Sequence, residues 1–166
     1  MNRINQDELF RIIKRHEEWL LDRTKGKRAV LCGLDLRGAI LCNVNLSFAD
    51  LHGSDLRGAD LRNIDLYGAN LSYSNLRTAN FYGAVMTSSV LRQCDFRGAD
   101  LNSVELGSAD LRYADFRYAD LCDVNLYGAL FDYTDFRGAN LRGADMYDTD
   151  LHFAIINRNS LVGICY

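Results

Sequence analysis

The chain has 166 residues, 48% of them apolar and 25% charged, which is the composition of one ordinary folded domain. Its net charge of −3 hides a division: residues 1–28 carry eight Lys/Arg against five Asp/Glu, and residues 29–166 carry eleven Arg against seventeen Asp/Glu. An acidic body argues against direct nucleic-acid binding and against an anionic membrane as partner, and no apolar stretch approaches the ~18 residues a membrane helix needs.

The first predicted element is a helix across residues 5–23. Asn5 followed by Glu8 is a capping-box spacing, and Leu9, Ile12, Ile13, Trp19 and Leu20 make an apolar stripe at helical period. This stripe predicts a helix that caps one end of whatever follows. Lys25-Gly26-Lys27 reads as the turn out of it, so residues 1–28 form a cap and residues 29–166 the body.

The body repeats every five residues. From Leu31 to Tyr166 all 28 positions at that spacing are apolar, and the residue two before is small in 24 of the 28. Asp or Asn stands between them in most units, and a typical unit reads Ala-Asp-Leu-Arg-Gly. Five residues turn an α-helix by about 500°, so successive leucines would wander round its axis. In a straight strand an odd period sends alternate leucines to opposite faces. Both conflicts vanish if the chain bends once per unit, with the small residue and the leucine inward on a short strand and glycines such as Gly38, Gly58 and Gly98 at the corners.

A second period fixes the cross-section. Arg37, Arg57, Arg77, Arg97, Arg117 and Arg137 recur every twenty residues, and Tyr67, Tyr127 and Tyr147 share another twenty-residue phase. Four units per coil make a square parallel β-solenoid, and 28 units make seven coils. At the usual strand spacing the rod is about 34 Å long.

Two of the four faces stand out. One pairs the arginine column with Asp35, Asp55, Asn75, Asp95, Asp115 and Asp135, which predicts an ion-pair ladder and leaves open a strip for an acidic partner. The opposite face sets Asp65, Glu105 and Asp145 among Tyr67, Tyr127 and Tyr147, with no Lys or Arg in these outward columns. Aromatics supply contact area at low entropic cost, so this is the preferred protein-contact face.

The far end loses its polar pattern. Ile155 replaces the usual Asp, Ile156 follows, and Leu161, Val162 and Ile164 lie in the final units. An apolar end coil with unpaired strand edges predicts a homodimer through that coil.

Little chemistry is in view. Cys32, His52 and Ser72 share one outward column, but a flat face offers no pocket, and two neighbouring ligands fall short of a metal site. No catalytic, metal or cofactor site is expected, and the protein reads as a non-enzyme. The five cysteines are odd in number and lack CxxC spacing, which suits free thiols in a reducing cytoplasm.

Stretches such as Ala59-Asp60-Leu61, Ala69-Asn70-Leu71, Ala109-Asp110-Leu111 and Ala139-Asn140-Leu141 resemble the pentapeptide-repeat family across residues 29–166. The resemblance implies a right-handed quadrilateral parallel β-helix, an all-β solenoid with the N-terminal α-helix as its cap. It also implies a scaffold that binds a protein partner through its faces. An alternative comes with it: some members mimic DNA, bind bacterial DNA gyrase and alter fluoroquinolone sensitivity. This chain departs from those members in its arginine column and its uninterrupted repeats, and a shared fold does not transfer a function.

Overall fold

Each five-residue unit makes one short strand and one turn. The computed structural model describes residues 2–157. In it, parallel bridges join residues twenty apart, from Val30↔Asp50 and Asp35↔Asp55 down to Asn125↔Asp145 and Asp135↔Ile155. Twenty residues per coil and four bridges per coil give the square section that the two periods predict. The count of seven coils runs past residue 157, outside the described residues.

The backbone hydrogen bonds show how a unit so short can hold. Leu36 N–H donates to Asp55 C=O at 2.8 Å, Gly38 N–H to Arg57 C=O at 3.0 Å, and Asp55 N–H to Leu34 C=O at 2.9 Å. Ala39 N–H then closes the corner onto Leu36 C=O at 3.0 Å. The residue two after each centre takes a left-handed φ from Gly33 to Asp148 without exception, the pattern of a type II turn. Fourteen of these residues are not glycine, Phe48, Tyr73, Thr78 and Tyr118 among them. A left-handed non-glycine costs about 1 kcal/mol, a debt carried by the rung bonds on either side.

The same geometry accounts for Asp or Asn before each centre. The N–H of the residue after the centre points outward and has no rung partner. The preceding side chain accepts it, as Asp35 Oδ1 does from Arg37 N–H at 3.2 Å and Asn125 Oδ1 from Tyr127 N–H at 2.9 Å. Two corner columns also show size matching between coils. A Cβ on Gly68 would come within 2.9 Å of the Phe48 ring, and one on Gly138 within 2.8 Å of the Tyr118 ring, so any larger residue would push either aromatic aside.

Inside, the central residues and the small residues two before them form one continuous core, with Leu56, Leu76, Phe96, Phe116 and Phe136 fully buried behind the arginine face. Phe96, Phe116 and Phe136 stack with ring centroids 4.5 and 5.4 Å apart. Polar small residues are satisfied: Ser54 and Ser74 hydroxyls donate to Leu51 C=O, and Thr134 to Leu111 C=O.

The cap is α1, Gln6–Leu21, with Asn5 Oδ1 accepting Glu8 N–H at 2.8 Å. Leu9, Ile13 and His16 are buried, while Ile12, Trp19 and Leu20 are half-buried at the rim. Two features here escaped the sequence pattern. His16 is wholly enclosed, and its Nδ1 accepts Ala29 N–H at 3.0 Å, while among the described residues no partner lies within normal hydrogen-bond geometry of Nε2 and the Ser47 backbone acts on the ring only weakly. Ahead of the helix, strand β1 (Asn2–Arg3) pairs in parallel with β2 (Leu34–Asp35), which adds a partial rung above the first coil. No described helix is long and apolar enough to cross a membrane.

Candidate interaction faces

On the arginine face, Asp and Arg flank each buried centre as residues i−1 and i+1, so both point outward from one short strand. Arg37, Arg57, Arg97, Arg117 and Arg137 each bind the carboxylate of their own strand, at 2.7, 2.6, 2.6, 2.7 and 2.6 Å. Several reach the next coil as well: Arg37 to Asp55 at 3.8 Å, Arg97 to Asp115 at 3.5 Å, and Arg117 to Asp135 at 3.7 Å. Each strand pair is two-pronged, Nε and Nη2 on one carboxylate. Hydrogen bonds from Arg37, Arg57 and Arg137 hold Asp35, Asp55 and Asp135 below the usual carboxylate range, and those arginines are raised in turn.

The ladder has one gap and one extension. Asn75 stands where the other strands have Asp, so Arg77 forms no ion pair there and acts on Asp95 only at longer range. Arg3, carried by β1, adds its charge above Asp35. The sequence column began at Arg37 because Arg3 lies outside the repeat.

The opposite face is arranged otherwise. Asp65 accepts from Asn45 Nδ2 at 3.2 Å and Glu105 from Asn125 Nδ2 at 2.7 Å, while Asp145 accepts Tyr147 N–H at 3.1 Å. No ion pair to these three carboxylates occurs among the described residues. Tyr67, Tyr127 and Tyr147 are 42%, 46% and 61% exposed. Tyr127 and Tyr147 stack at 6.0 Å, but Tyr67 does not join them and meets Phe48 edge-on at 5.4 Å. Thr87 and Gly107 fill the two coils between, so the expected tyrosine column is a pair and a single.

A second aromatic column went unread in the sequence. Tyr113, Tyr133 and Phe153 stack at 5.1 and 5.5 Å along the corner leading into the arginine face. Their spacing of twenty was the available signal, in a column that begins Gly33, Gly53, Tyr73, Gln93. Near it Ile155 is 43% exposed and Ile156 is partly buried against the core. Leu161, Val162 and Ile164, also expected at a dimer contact, lie outside the described residues.

The Cys32–His52–Ser72 column divides. Ser72 turns to Asn70, donating its hydroxyl at 2.7 Å. His52 instead meets Asp50, whose Oδ1 lies 2.8 Å from His52 Nδ1, and the ligand atoms of Cys32, Asp50 and His52 all lie within 4.8 Å of one another. Asp50, one column away, orients this histidine and adds a third donor to the two that the column supplies. The Cys94 thiol points inward, and burial pushes it up to about 12, so it is an inert core filler.

The pentapeptide-repeat family model, with eight copies, matches residues 27–63, 64–102, 89–126 and 123–157. The chain belongs to the pentapeptide-repeat family. Members fold as a right-handed quadrilateral β-helix and are generally non-enzymatic interaction proteins. Rfr23 from the cyanobacterium Cyanothece 51142 is similar in fold, at 23% identity over 88% of this chain and 95% of that one, with a TM-score of 0.55. HetL from Nostoc sp. strain PCC 7120, described as involved in heterocyst differentiation regulation, is 28% identical over 76% of this chain and 73% of its own, with a TM-score of 0.49. Trypsin-treated QnrB1, a plasmid-mediated fluoroquinolone resistance protein, is 16% identical over 78% and 81%, with a TM-score of 0.44. Among curated proteins none matches this chain.

Proposed function

We propose that this protein is a non-enzymatic interaction rod whose acidic tyrosine face docks a basic surface on a protein partner. One contrast carries the reading: five of the six arginines in the repeat column are held by their own aspartates, while Asp65, Glu105 and Asp145 opposite have no ion-pair partner among the described residues. A satisfied ladder has little left to offer a partner, because its charges would first have to be parted. Exposed carboxylates between half-exposed tyrosines can be paired and covered at once. The protein is read as cytoplasmic, and its apolar far end, where Ile155 is half-exposed, as a homodimer contact.

The test places a photo-crosslinking amino acid at Tyr127 and, separately, at Arg97 in the native host. A discrete adduct from position 127, lost when Asp65, Glu105 and Asp145 are changed to Asn, Gln and Asn, supports this face. An adduct from position 97 alone overturns it. A DNA gyrase supercoiling assay with the purified rod, with and without a fluoroquinolone, shows whether the partner is gyrase. Inhibition or drug protection that the triple variant loses would identify it.

A further inference from the structure

Beside the N-terminal cap, on the face centred on Leu31 and Leu51, a thiol, a carboxylate and an imidazole converge. The ligand atoms of Cys32, Asp50 and His52 all lie within 4.8 Å of one another. We propose that these three side chains bind a divalent transition-metal ion of the zinc type, with water completing the coordination shell.

The backbone sets the cluster in place. Leu31 N–H donates to Asp50 C=O at 2.7 Å and Gly33 N–H to His52 C=O at 2.9 Å, so rung bonds on both sides of Cys32 hold it above His52. Asp50 and His52 flank the buried Leu51 and face outward together. Asp50 Oδ1 accepts His52 backbone N–H at 3.2 Å and lies 2.8 Å from Nδ1, which fixes the ring. Tetrahedral zinc, with Zn–S about 2.3 Å and Zn–N about 2.0 Å, spaces its donors about 3.3–3.6 Å apart. Reaching that spacing requires the 2.8 Å contact between Asp50 Oδ1 and His52 Nδ1 to open as the metal takes the place of the shared proton.

Donor type sets the ion. Thiolate with imidazole selects zinc or cobalt over magnesium or calcium, which take oxygen ligands. Cys32 and Asp50 are half-buried and His52 is exposed, so an ion reaches the site from solvent without an opening step. On binding, the Cys32 thiol gives up its proton to water as the metal–sulfur bond forms.

The other described cysteines lack this setting. Cys122 has Arg142 Nη2 at 3.7 Å, Cys42 has the Arg62 charge as its neighbour, and Cys94 is buried. Below the site the same column continues as Ser72, Arg92 and Arg112, which offer no soft donor. Arg28 places a positive charge near Asp50, which limits affinity without occupying the cluster. A bound ion would clip the first coil to the second next to the cap and stabilise the folded state alone.

Titration of the purified full chain with cobalt(II) provides the test. An intense near-ultraviolet thiolate-to-cobalt band with tetrahedral visible bands should saturate at one ion per chain. It should vanish in Cys32→Ser, weaken at least tenfold in affinity in His52→Asn, and persist when Cys42, Cys122 and Cys165 are all changed to Ser. Far-ultraviolet circular dichroism checks that each variant keeps its fold. Zinc should raise the melting temperature of the wild type and leave that of His52→Asn unmoved. Absence of a thiolate band, or a band that survives Cys32→Ser, overturns the proposal.

Discussion

The arginine face and the acidic tyrosine face share one backbone and one repeat, yet they handle charge in opposite ways. On the first, Asp and Arg alternate across every buried centre but one, and each charge finds its partner two residues away. On the second, carboxylates recur at every second coil, between neutral or apolar residues such as Val85 and Asn125, and no arginine pairs with them among the described residues. Burial at the centre is equal on both. Regularity therefore comes from the core and the rungs, and the outward columns are free to differ. The core behind them differs too, with stacked phenylalanines behind the arginines and Leu106, Leu126 and Met146 behind the acids.

Removing core volume should produce the largest effect. Phe116→Ala deletes the middle ring of the stack and should cost about 3–5 kcal/mol in urea unfolding, more than Leu126→Ala behind the opposite face. Equal costs would mean that the aromatic stack adds nothing to the arginine side.

Acid should then weaken the arginine face. Asp35, Asp55, Asp95 and Asp135 have pKa values lowered in the folded state, so their contribution is present above the unfolded value of about 4 and is lost as pH falls below it. Stability measured from pH 5 to pH 2 should fall, and changing these four to Asn should flatten the slope. The cap adds a separate limb at higher pH. Burial first, then the charges of Arg23 and Arg28, lower the His16 pKa against a raising contribution from the Ser47 backbone. Stability should therefore decline as pH drops below about 6.5, because the unfolded chain takes up a proton that the native cap refuses. His16→Asn should abolish that limb and leave the carboxylate limb in place.

Single pairs should count for less. Asp95→Asn keeps the backbone acceptor that Asn75 already supplies and loses only the ion pair, a cost of less than about 1 kcal/mol. Asn75→Asp, which closes the gap at Arg77, should gain a few tenths of a kcal/mol. A loss on filling the gap would show that Arg77 is already satisfied.

The smallest effect on stability is expected from neutralising Asp65, Glu105 and Asp145 together. The midpoint of unfolding should stay within about 0.5 kcal/mol of wild type while partner crosslinking is lost. A large destabilisation would make these carboxylates structural and remove the contrast between the faces.

The repeat itself was legible because it is dictated locally. A five-residue period with one bend, an apolar centre and a small residue two before it admits one way of burying both, and the twenty-residue arginine column sets the number of bends per coil. The capping pattern at Asn5 and Glu8 and the buried Leu9 and Ile13 follow from helical period in the same way. Aspartate beside arginine predicted the ladder, since residues i−1 and i+1 must share the outward face.

Contacts between columns and between coils were decided only in three dimensions. Asp50 came to lie with His52 and Cys32 because ring orientation, and not column membership, brought the carboxylate to the imidazole. Tyr67 met Phe48 and not Tyr127, since the coils between carry Thr87 and Gly107. Arg3 extended the ladder, and His16 closed the cap against Ala29, through segments that belong to no repeat and have no period to read. A sequence period specifies which residues point the same way. Which of them touch depends on rotamers, on the turn below and on where the non-repeating end is laid, and those are properties of the assembled rod.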